Sequence, residues 1–194
     1  ASEFINTQTQ SYSTPAYETG NRQGAYSVSY ANFGLNGAIA NWIDGSNSDN
    51  TENAWYFNNA VTITSDFRIV FDLGSGNSKI YTGAKMIQLS HASSGGVWVW
   101  EGSNDNSSYT TLSSNFTWGL NASTETVNTW SNNTAYRYIR IKGVSGQTNT
   151  GPWQLDMQFQ TKTGTTVTNA TGNFISNAIT APSSTSSMGA IITY

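Results

Sequence analysis

Short apolar runs separated by clusters of Gly, Ser, Asn and Asp recur along this chain, over Ser27 to Tyr30, Ala54 to Thr64, Phe67 to Leu73, Lys85 to Leu89, Val97 to Trp100, Tyr136 to Lys142 and Leu155 to Gln160. Runs of this length, punctuated by turn formers, predict the strands of a β-sandwich. The clearest is Val97-Trp98-Val99-Trp100, four aromatic or β-branched residues that suit a strand buried on both faces. The Gly102-Ser103-Asn104-Asp105-Asn106 segment that follows supplies residue types that tolerate tight turns and positive φ. Tyr136 to Ile141 answers it as a second core strand. Residues 1–24 are polar, contain Pro15 and show no period of two or 3.6, which predicts an arm. The packed domain is expected over residues 25–162. Beyond it, Thr, Ser, Asn and Gly predominate, so residues 163–194 read as a linker ending in a strand-like segment, Met188 to Tyr194, that would begin a further β module.

Composition narrows the options. Charged residues make up 10% of the 194, and the Ser, Thr, Asn and Gly that replace them favour strands and loops over helices. The net charge of -3, with eight scattered basic residues, supplies no electrostatic footprint for nucleic acid. With no cysteine and one histidine, disulfides, thiolate chemistry and multi-histidine metal centres are excluded. No apolar run is long enough for a membrane helix, and the loop tips are polar with single aromatics, so a membrane partner is not expected.

Scarce charge is clustered in one place. Asp44, Asp49 and Glu52 fall within Trp42 to Trp55, a Gly- and Asn-rich loop offering carboxylate, amide, hydroxyl and carbonyl oxygens. A hard cation such as calcium takes six to eight oxygens of those types; a solvated turn capped by Asp and Asn side chains is the plainer alternative. Tryptophan is abundant, and two of the seven, Trp118 and Trp153, lie among loop residues. An aromatic ring can stack on the apolar C–H face of a pyranose while amide or imidazole groups bond its hydroxyls. The alternative for Trp153 is a lid folded over the sandwich end.

Glu101 to Leu112 together with Tyr136 to Ile141 resembles the "EGSNDGSxWTTL" and "YRYIRI" elements of discoidin domains, also known as coagulation factor V/VIII type C domains, and of family 32 carbohydrate-binding modules. Phe67 to Gly74 is similar to their "hIxhDLG" strand, so the resemblance spans roughly residues 20–160. It implies an all-β, discoidin-like sandwich of jelly-roll type with polar N- and C-terminal extensions. It further implies a structural calcium held by Asp44, Asp49 and Thr51, which take the places of the "DGDxxTxW" element, although five residues separate Gly45 from Thr51 here. Asp156 would be the distal ligand, where the family carries a Glu. Trp153 stands where family 32 modules place a stacking aromatic, and His91, Asn149 and Asn121 fall in neighbouring loops, with Trp118 as a second stacking candidate.

Catalysis finds little support, since no opposed carboxylate pair or Gly-X-Ser-X-Gly elbow is legible. The expectation is a non-catalytic, calcium-stabilised, lectin-like module at an extracellular or virion surface. It would bind a cell-surface or polysaccharide glycan and gain avidity as an oligomer. The competing expectation is a decoration, tail or fibre module of a virus particle whose arms pair with neighbouring subunits.

Overall fold

A computed structural model describes residues 4–46, 54–89, 95–119, 125–150 and 153–172. In chain order the strands are β1 (Phe4–Tyr12), β2 (Ala16–Tyr17), β3 (Ser27–Ala31), β4 (Leu35–Asn36), β5 (Tyr56–Phe57), β6 (Arg68–Asp72) and β7 (Ile80–Leu89). They continue with β8 (Val97–Ser103), β9 (Thr110–Thr111), β10 (Phe116–Thr117), β11 (Glu125–Thr129), β12 (Tyr138–Ser145), β13 (Trp153–Lys162) and β14 (Gly164–Gly172). One 3-10 turn, Ile39–Ile43, joins β4 to the acidic loop.

Two sheets face each other. One has the order β10-β8-β12-β6-β3, with β9 also paired to β8, and the other has β11-β7-β13-β2. The expected all-β sandwich is therefore the fold. Alternation along β12 shows why these residues form it: Ile139 and Ile141 are buried, while Tyr138, Arg140 and Lys142 remain partly exposed. The inner faces meet through aromatic rings, with Phe159 of β13 lying 5.1 Å from Phe71 of β6 and 5.7 Å from Trp100 of β8. Side chains of this size bring most of the apolar area that drives sheet-on-sheet packing.

The compact unit runs from Tyr12 to Gly164, so it starts earlier than the polar composition of residues 1–24 suggests. Polar residues there are tied in by hydrogen bonds. Glu18 accepts from the Tyr26 hydroxyl at 2.9 Å and from Lys79 Nζ, and Tyr81 Oη lies 3.5 Å from Tyr26 Oη. Burial pushes both tyrosine hydroxyls above their ordinary pKa, so they remain neutral donors. A second, smaller unit comprises residues 1–11 and 165–194, and in it β1 pairs with β14. The segments read as an arm and a linker thus contain strands; the proposed further module over Met188 to Tyr194 lies outside the described residues.

Candidate functional site

Trp118 belongs to the core, which corrects its assignment as a rim aromatic. It is 1% exposed, stacks on Trp42 at 5.1 Å with an interplanar angle of 11°, and meets Trp98 edge-on at 5.3 Å. Its indole N–H donates to Gln154 Oε1 at 3.0 Å, so the polar edge is satisfied inside the protein. The backbone explains the inward turn: Trp118 N–H donates to Gly96 O at 3.0 Å, extending the β10 pairing with the start of β8. Loop-like neighbours in sequence concealed a strand end.

Trp153 has a different environment. It opens β13, opposite Leu89 of β7, and is half-buried. Its neighbour Gln154 turns inward and pairs with Trp55 through a backbone bridge, with N–H···O distances of 2.8 and 3.1 Å. Alternation then places Trp153 and Tyr56 together on the other side, with ring centroids 5.9 Å apart and a tilt of 33°. Tyr56 is also half-buried between the buried Trp55 and Phe57. It went unnoticed in the sequence because Ala54 to Thr64 reads as one apolar run. The signal was available, since a strand that buries positions 55 and 57 turns position 56 outward.

Asn149 is half-buried one residue beyond Thr148, whose hydroxyl donates to Asn59 O at 2.8 Å and accepts from Val61 N–H at 2.9 Å. That clamp joins the Asn149 segment to the chain that follows β5. His91 and Asn121 lie outside the described residues, as do Asp49 and Thr51.

The two described members of the expected calcium set are already engaged. Asp44 Oδ1 accepts from Ser46 N–H at 2.7 Å, a capped turn at the start of the loop. Gly45 follows with φ of 81°, and a Cβ there would lie 2.4 Å from the carbonyl carbon of Gly20, so Gly45 packs directly on the Gly20–Asn21 segment. Arg22 runs inward from that contact. Its guanidinium donates to Asp156 Oδ1, to Gly20 O and, at 3.1 Å, to Met157 O. Asp156 is 0% exposed and Arg22 5%, and the other carboxylate oxygen accepts from Gln158 Nε2 at 3.1 Å. A buried carboxylate needs a cationic or hydrogen-bonding partner, and here a guanidinium from the chain itself supplies it. Asp156 in this arrangement does not fit the distal-ligand role, and no group of three His, Cys, Asp or Glu that could hold a metal ion occurs among the described residues. The sequence comparison set Asp156 beside a metal loop because Arg22 fell in the supposed arm.

No protein-family model matches the chain, and no curated protein matches its sequence. Solved structures do match in fold. The C-terminal domain of a chitobiase from Bacteroides fragilis superposes with a TM-score of 0.54 at 14% identity, covering 78% of this chain and 99% of that domain. The family 32 carbohydrate-binding module of Clostridium perfringens NanJ, solved in complex with galactose, gives 0.50 at 15% identity over 73% of this chain and 98% of that module. Allantoicase from Saccharomyces cerevisiae gives 0.52 at 10% identity, over 70% of this chain and 40% of the enzyme. The discoidin-like sandwich is thus shared by a sugar-binding module and by part of an enzyme, and similarity of fold does not choose between those roles.

Proposed function

We propose that this chain is a non-catalytic carbohydrate-binding module acting at an extracellular surface. The observation that carries the reading is the Trp153–Tyr56 pair: two half-buried rings held side by side where β13 bridges to the chain at Trp55, neither of them part of the buried core. Such a platform offers a sugar ring apolar contact at little entropic cost, because the rings are fixed by packing before the ligand arrives. Asn149, four positions before Trp153 in the sequence, is the residue proposed to add hydrogen bonds to hydroxyls.

Calcium has no part in this proposal: Asp156 is paired with Arg22, and Asp49 and Thr51 lie outside the described residues. The module from NanJ was solved with galactose, which makes galactose the natural first probe. A single shallow platform binds weakly, so repeated copies in an assembly would raise avidity.

Affinity electrophoresis through gels containing galactan tests the reading. The wild-type chain should be retarded, whereas Trp153→Ala and Tyr56→Ala should migrate as in a gel without polysaccharide while keeping cooperative urea unfolding. Retardation unaffected by both substitutions would place binding elsewhere on the molecule.

A further inference from the structure

The outer face of the six-stranded sheet carries a second concave site. Register places Arg68 of β6 opposite Lys142 of β12, Val70 opposite Arg140, and Arg140 in turn opposite Glu101 of β8. All five lie on the face away from Ile69, Phe71, Ile139, Ile141 and Trp100, by the two-residue alternation of the strands. Above them is a groove of about 360 Å³, lined by Ser29, Arg68, Val70, Asn106, Ser107 and Arg140. That volume is at the small end of the range of about 300–1,000 Å³ typical of ligand sites.

Charge in the groove is unbalanced. Glu101 accepts from Arg140 Nε at 2.7 Å and from Lys142 Nζ at 3.2 Å, so one carboxylate serves two cations. The Arg68 side chain makes no hydrogen bond or ion pair among the described residues. Arg140 and Lys142 share that one carboxylate and Arg68 adds a further cation on the same face, while the Asp105 carboxylate beside the rim is held by Ser107 N–H at 2.8 Å. Arg140 is also held from outside, its guanidinium carbon 3.5 Å from the centroid of the Tyr109 ring. Tyr109 donates its hydroxyl to Asn106 Oδ1, which fixes the Asn106 rim. The groove thus has one immobilised guanidinium, one unpaired guanidinium and exposed amide and hydroxyl groups on the rim. A guanidinium presents parallel N–H donors that match the two oxygens of a carboxylate, whereas a neutral sugar would leave its charge uncompensated.

We infer that this groove binds the carboxylate of a uronate residue in an acidic glycan, with Arg68 as its direct partner and Asn106 and Ser107 bonding adjacent hydroxyls. The inference rests on the reading of the chain as a carbohydrate-binding module, but it uses a different face from the Trp153–Tyr56 platform. One chain could then read a neutral and an acidic residue of the same polysaccharide.

The test is an amide and arginine side-chain NMR titration with tetragalacturonate, a neutral galactotetraose and inorganic phosphate as separate probes. Tetragalacturonate should shift Arg68, Asn106 and Ser107, neutral galactotetraose should leave them in place, and phosphate should fail to compete at equal concentration. Arg68→Gln should weaken the tetragalacturonate response about tenfold or more, the loss expected for one charge-assisted contact. Arg68→Lys, which keeps the charge but loses the fork, should recover only part of it. Shifts confined to Trp153 and Tyr56 would overturn the groove while leaving the proposed function intact. Equal competition by phosphate would overturn its sugar selectivity. Groove shifts that persist in Trp153→Ala, where the galactotetraose response is lost, would support two separate sites.

Discussion

Trp118 and Trp153 are both tryptophans set among Gly, Asn and Thr, yet one is sealed inside the aromatic core and the other shares the surface with Tyr56. The consequences of deleting them should differ in kind. Trp118→Ala should lower unfolding free energy by about 3–5 kcal/mol through the cavity it leaves, and Trp153→Ala should cost much less while abolishing binding, as urea unfolding of both variants will show. Arg22 and Asp156 make the same argument with charge. Arg22→Met strands a buried carboxylate and should cost about 3–5 kcal/mol, whereas the double substitution Arg22→Met with Asp156→Leu should recover much of that loss. Which tryptophan faced inward was not legible, because inward direction at Trp118 depends on backbone pairing with Gly96 at the start of β8, outside its own loop. Arg22 was hidden for a related reason: its partner lies 134 positions downstream.

Individual elements are held by short polar clamps that respond to pH. In the turn after β8, the N–H groups of Ser107 and Ser108 donate to Asp105 Oδ1, each at 2.8 Å, and hold its carboxyl well below the usual carboxylate range. At the end of β6, the Arg137 guanidinium, with two bonds of 2.7 and 2.9 Å, does the same for Asp72. Both folded pKa values lie below the unfolded value of about 3.9. The unfolded chain therefore takes up protons first on acidification, and the stabilisation present above about pH 4 is lost as pH falls through the folded values. Thermal melts from pH 5 to pH 2 should show the midpoint falling, and Asp72→Asn should flatten that fall. The strands flanking these clamps were legible as apolar runs. The edge strand β11, Glu125–Thr129, was not, because it pairs with β7 alone and its exposed positions carry Glu, Val and Thr.

At the scale of the whole molecule, the apolar-run spacing was sufficient to specify an all-β sandwich, and the Glu101 to Leu112 and Tyr136 to Ile141 segments located its outer sheet. Those segments turn out to line the Arg68–Arg140 groove as well as to stabilise the fold. Asp49 and Thr51 of the expected metal loop lie outside the described residues, and the pairing of Asp156 with Arg22 could not be read from the sequence because the two stand 134 positions apart. One consequence follows for stability. The unfolding midpoint should be the same in excess chelator and in millimolar calcium, measured by scanning calorimetry; a rise of several degrees with calcium would restore a structural cation. Among the described residues no helix is long and apolar enough to cross a membrane.

The central claim, that the Trp153–Tyr56 platform makes this chain a glycan-binding module, is tested most directly by a glycan array probed with the wild-type chain and with Trp153→Ala side by side. Selective signal that disappears in the folded variant is the result expected here. A folded wild-type chain that is silent across a broad array would contradict the claim, and would leave assembly with neighbouring subunits of a larger particle as the role to pursue.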